Sequence, residues 1–285
     1  MSLIEPSNAS RAHALVAIRA LSSDDEAALR RAVAELASSS LAMRLTTLLG
    51  RQIGAVGFVL PDQMTEVVNR SAEAAIRAAM GVALRTLPEA SRRDSRRLHK
   101  SLVTLAGAAG GSLGLAGLPV ELPFTTTLML RSIAEIARNE GEELSDPDVG
   151  LACLEVFALS DDVGRGLGAS EGAPEAGYFA VRVLLAKMVS QSARHFMHRG
   201  LSEQAAPLLA RLISQISARF GLLVSQKLAA QAVPLIGAAS GAAINYAFVD
   251  HFQTLARGHF TIRRLERRYG PNVVRAEYEK FAAAR

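Results

Sequence analysis

Apolar residues in this chain recur every three or four positions, the spacing of one helix face, and nowhere hold a convincing two-residue alternation. The punctuation between these runs also belongs to helices. Ser23-Asp24-Asp25-Glu26 has the Ser-x-x-Glu spacing of a capping box, and a helix over 27–36 follows. Pro61-Asp62 precedes a helical pattern over 63–84. Phe124–Asn139 predicts another helix, closed by Gly141. On it Leu128, Ile133, Ile136 and Ala137 form the apolar surface, while Arg131, Glu135 and Arg138 share a face at i, i+4 and i+7. Ser145-Asp146-Pro147-Asp148 starts a helix through Leu151, Leu154, Val156 and Phe157, with a capping hydroxyl, a proline in the first turn and acids at the positive end of the dipole. The glycines of 160–174 make a loop. Helices are predicted over 175–198, ended by Gly200, and over 202–231, with a break at Gly221. Beyond them come an apolar segment over 234–255 and a charged amphipathic segment over 259–284, turned at Gly270-Pro271.

Two stretches depart from amphipathic patterning. Ser101–Val120 is twenty residues without a charge, and Leu228–Val249 is twenty-two. Both reach the length of a membrane span. The first contains Gly107, Gly110, Gly111, Gly114 and Gly117, and Pro119 stops it; the second carries Pro234 and Asn245. Gly107/Gly111, Gly110/Gly114 and Gly237/Gly241 have the four-residue spacing that lets helix backbones approach closely. The stretches also share Leu-x-Gly-Ala-Ala-x-Gly, at Leu105–Gly111 and Leu235–Gly241. Each internal glycine costs a helix about 1 kcal/mol relative to alanine, so tight packing or a lipid setting must compensate. A buried glycine-lined helix pair and a segment that inserts into or lies on a membrane both satisfy this requirement.

Composition narrows the field. The 285 residues are 49% hydrophobic and 21% charged, enough to bury a sizeable core. Aromatics are only 5% and Trp is absent, which favours helix over strand. The single cysteine, Cys153, excludes a disulfide scaffold and a cysteine zinc site. The expected fold is all-α: a single multi-helix bundle-like domain with two central glycine-rich apolar helices.

Net charge is +5, and Arg supplies 28 of the 32 basic residues. One group holds Arg92, Arg93, Arg96, Arg97 and Lys100; another holds Arg257, Arg263, Arg264, Arg267 and Arg268. Such groups meet phosphates of anionic lipid or nucleic acid, or form a solvated helix face. Nucleic acid is the weaker choice, because no aromatics interleave with the arginines. The N-terminus lacks the apolar run of a secretory signal, and a lone free cysteine suits the cytoplasm.

Motifs of known chemistry are scarce. There is no phosphate loop, dinucleotide fingerprint or His-Glu-x-x-His. Gly168-Ala169-Ser170-Glu171-Gly172 matches a hydrolase elbow, but the strand that such an elbow needs before its serine is missing. His195 and His198 stand three apart without a nearby carboxylate. Helical spacing sets His251 beside Ile244, Phe248 and Leu255 as a core-edge histidine, and Asp250 on a face with Tyr246. Glu121 lies between two apolar runs, so its carboxylate needs a partner such as Arg131, or a raised pKa.

Several blocks, in order, resemble the EcsC protein family. They are Gly114-Leu115-Ala116-Gly117-Leu118-Pro119, Glu121-Leu122-Pro123-Phe124-Thr125-Thr126-Thr127, Leu130-Arg131-Ser132-Ile133 and Cys153-Leu154-Glu155-Val156-Phe157-Ala158-Leu159. Tyr178-Phe179-Ala180-Val181-Arg182, Ala232–Ala238, Gly241–Asn245 and Ala256-Arg257-Gly258-His259-Phe260 continue them. The likeness runs over roughly residues 60–270. It sets residues 1–59 apart as an N-terminal helical extension and 60–285 as an EcsC-like helical domain. The family takes its name from a protein encoded beside an ABC transporter. Some members carry a hydrolase label, but no agreed catalytic motif transfers, so the resemblance implies a bacterial fold unit rather than a mechanism.

Three functions follow as expectations. The first is an accessory protein at the cytoplasmic face of the cell membrane, peripheral to it, meeting lipid or a membrane-protein partner. The second is a hydrolase with a pocket between the glycine-rich helices. Its weak catalytic candidates are Glu121, His251 and His259, and Glu121, Arg131, Asn245, Asp250, His251 and His259 are the ligand-binding candidates. The third is a buried apolar cavity for lipid. No cofactor or metal is expected.

Overall fold

The computed structural model describes residues 20–37, 41, 44–45, 47, 62–85, 117–159, 177–199, 206–231 and 237–284. The basic group at 92–100, the first uncharged stretch as far as residue 116, the 160–174 loop with Ser170, and Pro234 fall outside the described residues. So do the side chains of His195 and His198. The described residues form helices α1 (Ser23–Leu36), α2 (Asp62–Arg85), α3 (Leu118–Asn139), α4 (Pro147–Glu155), α5 (Gly177–Arg199), α6 (Ala206–Gln231), α7 (Gly237–Tyr269) and α8 (Pro271–Ala283). A short 3-10 turn, Val156–Ala158, extends α4. No strand occurs among them, as the periodicity predicts.

Helix ends follow local chemistry, with shifts from the predicted positions. The cap of α1 is Ser22, not Ser23: its hydroxyl oxygen accepts from the Asp25 amide at 3.3 Å. Asp146 rather than Ser145 caps α4, accepting from the Asp148 amide at 2.8 Å. Pro119 lies in the first turn of α3, where its missing N–H costs nothing. Pro123 is tolerated one turn further on, and Thr125 and Thr127 donate to the Glu121 and Pro123 carbonyls at 3.0 and 2.8 Å. Gly141, at φ +81°, ends α3, and the Glu142 amide reaches back to the Ala137 carbonyl at 3.0 Å.

Among the described residues the second uncharged stretch falls on two helices. Its first residues end α6 at Gln231, and its last open α7 at Gly237, a helix that continues through the charged 250–269 region. Among the described residues no helix is long and apolar enough to cross a membrane.

Helix α7 is the spine. Asn245, Phe248, Phe252, Leu255, His259, Ile262 and Glu266 fall on one stripe at alternating spacings of three and four. It packs against α1, α3, α6 and α8, while α2 lies on α3, α4 and α6. Phe157, Phe220, Phe248 and Phe252 form the centre, with neighbouring ring centroids 5.1–6.1 Å apart. Four of the chain's ten phenylalanines therefore sit in a single cluster. Leu29, Val33 and Leu36 of α1 belong to the same core as these rings.

Three described glycines away from the glycine-rich stretches mark close helix approaches. A Cβ on Gly258 would stand 2.7 Å from Leu36 Cγ and 3.1 Å from the Ala32 carbonyl oxygen of α1. On Gly150 it would meet the Ala83 carbonyl oxygen at 3.1 Å, and on Gly221 it would meet Asn69 Oδ1 at 3.2 Å. Gly221 thus does not break α6; it lets α2 come close.

Candidate functional site

Polar chemistry collects at three places along α7. In the middle is a sealed cluster. The heptad spacing from Phe252 carries His259 into the core, and His259, Glu155 and Tyr178 are 0%, 2% and 3% exposed. The Tyr178 hydroxyl lies 3.0 Å from His259 Nδ1, and His259 Nε2 lies 3.9 Å from Glu155 Oε2. Neither His259 Nε2 nor Glu155 Oε1 has a hydrogen-bond partner among the described residues. Burial pushes the Glu155 carboxyl up to about 8, with the Arg263 and Arg182 charges pulling the other way. Burial, aided by the same two arginines, holds His259 well below the usual imidazole range. The Tyr178 hydroxyl is raised, again by burial first. All three groups are therefore mainly neutral near pH 7. Arg182 itself pairs with Glu266, Nη1 to Oε1 at 2.8 Å, and Arg263 pairs with Glu142, Nε to Oε1 at 2.7 Å.

At the C-terminal end, carboxylates from α1 and from the α3–α4 turn meet the arginines of α7. Buried Asp25 accepts from Arg264 at 3.0 Å, from Arg268 and the Tyr269 hydroxyl at 2.8 Å each, and from Ser22 at 3.1 Å. Burial alone would raise its pKa; the Tyr269, Arg264 and Ser22 hydrogen bonds and the Arg268 charge bring it below the ordinary value. Glu142 holds Arg263 and Arg267, Glu140 accepts from Arg264 at 2.8 Å, and Glu35 accepts from Arg257 at 3.0 Å. Every arginine of the second basic group thus has a carboxylate within the chain. The group is an inter-helix ion-pair network, neither a free basic patch nor a merely solvated face.

At the N-terminal end, Glu121 of α3 accepts from Lys227 of α6 at 3.1 Å, and the ammonium lies 5.3 Å from the Phe248 ring centroid. The side chains of this pair are nearly buried. Burial lowers the Lys227 pKa and Glu121 opposes that shift. Arg131, ten residues further along α3, is exposed, so the Glu121–Arg131 pair suggested by the sequence is replaced by Glu121–Lys227. Asp250 pairs with Arg44 at 2.8 Å. His251 is buried, and burial first, then the Arg44 charge, takes its pKa down to about 3 against the pull of Asp250. Asn245 is buried, and its Nδ2 has no hydrogen-bond partner among the described residues.

The six sequence candidates therefore do not converge. Glu121 meets α7 through Lys227 beside Phe248, whereas His259 lies eleven residues further on, about 16 Å along the axis. Sequence reasoning missed Lys227, Glu155, Tyr178 and Arg182 as site residues. A signal for two of them was present: Glu155 is the lone charge in Leu151–Leu159, and Lys227 the lone charge in Phe220–Ala230. Among the described residues no group of three or more His, Cys, Asp or Glu side chains could hold a metal ion.

These features define an all-helical protein organised around one long central helix, with a neutral, sealed Tyr–His–Glu cluster at its heart. The chain belongs to the EcsC protein family, whose model matches residues 17–265. That match starts upstream of α1, further toward the N-terminus than the blocks read from the sequence. Three of those blocks, at Cys153–Leu159, Tyr178–Arg182 and Ala256–Phe260, supply the three members of the cluster. No curated protein and no solved structure matches the chain.

Proposed function

We propose that the protein works at a membrane surface, as an accessory protein that enters the lipid boundary with one end of its helical bundle. The observation that carries this reading is the exposure of Val120 at 79% and Phe124 at 55%, one turn apart at the start of α3. Single exposed apolar residues are ordinary; two on one face at the mouth of a twenty-residue uncharged stretch are less so. The Glu121–Lys227 pair and the Lys227–Phe248 contact gather the start of α3, the end of α6 and the early turns of α7 at this end. Leu222 of α6 and Tyr246 of α7 are exposed there too. Arg92–Lys100 precede the uncharged stretch in sequence and suit anionic head groups. A hydrolase has less support, since Glu121 is committed to Lys227 while His259 and Glu155 are enclosed and mainly neutral.

Flotation with phosphatidylcholine vesicles, with and without anionic lipid, tests the reading. The full chain is expected to float with anionic vesicles, more strongly at low salt. Val120→Ser with Phe124→Ser should weaken binding at least tenfold, because each buried CH₂ contributes about 0.8 kcal/mol. A chain that stays at the bottom of the gradient with both vesicle types would sink the proposal.

A further inference from the structure

Helix α6 buries two non-histidine cations. Lys227 has Glu121. Arg219, two turns earlier, is 6% exposed, and no carboxylate pairs with it among the described residues. Its Nη1 is sealed from solvent without a hydrogen bond. The buried ionisable groups at the three polar places along α7 avoid this condition by one of two routes. Asp25 and Glu142 hold arginines, while His251, His259 and Glu155 shift toward their neutral forms. A guanidinium can take neither route alone: burial lowers its pKa, yet arginine stays charged at physiological pH. A largely enclosed charge of this kind is stabilised by a counter-charge.

Of the guanidinium nitrogens only Nη1 is sealed, so Nε and Nη2 are where an anion can approach. Residues two apart lie about 200° around the axis, so Arg219 stands on the side of α6 away from Gly221, which abuts Asn69 of α2. Around the circumference it falls between buried Leu223 and exposed Leu222, at the rim of the core. The planar fork of an arginine matches two oxygens of one phosphate group, which a compact ammonium does not.

We propose that Arg219 anchors a site for a phosphate group, carried either by a lipid head group or by a soluble molecule. Calorimetric melting of the full chain tests this, with inorganic phosphate against sodium chloride at equal ionic strength, and with phosphatidylcholine vesicles with or without phosphatidic acid. Phosphate is expected to raise the wild-type Tm by roughly 2–4 °C, and Arg219→Met to lose the increment. In phosphate-free buffer Arg219→Met should melt no lower than wild type, because the uncompensated charge is gone. A response to phosphatidic acid alone, lost in Arg219→Met, assigns the site to a lipid head group. No response to either probe, or the same response in both proteins, overturns the site. If Arg219→Met does not fold, Arg219→Lys decides: a phosphate midpoint at least tenfold higher supports the fork, and an unchanged midpoint overturns it. Val120→Ser with Phe124→Ser should keep the phosphate response, which separates failure of this site from failure of the membrane reading.

Discussion

At the C-terminal end of α7, Asp25 gathers two arginines, a tyrosine and a serine, and Glu142 gathers two arginines. At the N-terminal end, Glu121 and Lys227 balance each other, with apolar Val120 and Phe124 in solvent beside them. The first end is redundant: charges from α1, α7 and the α3–α4 turn are cross-linked, so one lost donor leaves others. At the second end Glu121 and Lys227 have only each other among the described residues, and a single cut there strands a buried charge. Redundancy marks the end whose task is to hold helices together. The end with exposed apolar residues is the one proposed to meet the membrane.

Asp25→Ala should be among the largest effects, about 3–5 kcal/mol in chemical denaturation, because it removes the hydrogen bonds that Arg264, Arg268, Tyr269 and Ser22 make to one buried carboxylate and leaves Arg264 with Glu140 alone. Arg264→Ala should cost clearly less, since Arg268 and Tyr269 still hold Asp25; equal losses would show that the network is not redundant. At the other end, Lys227→Met alone should cost about 3–5 kcal/mol, and adding Glu121→Gln should recover most of it. Additive losses in that double-mutant cycle would mean that the two groups are not a pair. Gly258→Ala should cost on the order of 1–3 kcal/mol by pushing α1 off α7, measured by urea unfolding. An unchanged midpoint would place the helices further apart than described.

The smallest effect is the pH dependence of the sealed cluster. Glu155 has a folded pKa of about 8, above its ordinary 4.5, so the folded state holds the extra proton between those values. Its contribution therefore falls as pH rises through that window. His251 and His259 have depressed folded pKa values, so their contribution rises with pH up to about 6.5. Between pH 6.5 and 8 only the Glu155 decline among these three remains, on the order of 1–2 kcal/mol. Glu155→Gln should flatten it, and a Tm profile with the same slope in both proteins would remove the neutral-carboxyl assignment.

Much of the architecture was legible from local signals. The three-and-four spacing predicts α2, α3, α4 and α5 to within a few residues at most ends, and Gly141 and Gly270-Pro271 fall where helices end. The start of α3 was not legible, because Pro119 is equally a helix stop and a first-turn residue until the chain that follows is packed. The second uncharged stretch looks like one segment because hydropathy ignores where a helix ends; the structure divides it between α6 and α7. At the candidate site, His251 was legible as a histidine beside the core, since its neighbours are local. His259 also sits on the α7 stripe, but its partners Tyr178 and Glu155 lie 81 and 104 residues away, where no periodicity reaches.

By itself the sequence determined the helical class, the order of most helices and the presence of two uncharged, glycine-rich stretches, because all of these arise from interactions within a few turns. Only the tertiary structure decided which charges are spent. It committed Arg257–Arg268 to carboxylates of α1 and of the α3–α4 turn, gave Glu121 the distant Lys227 rather than the nearby Arg131, and left Arg219 buried without a carboxylate among the described residues. The reason is physical: helix formation depends on neighbours along the chain, whereas the energy of a charge depends on what packing brings beside it and how much water packing removes.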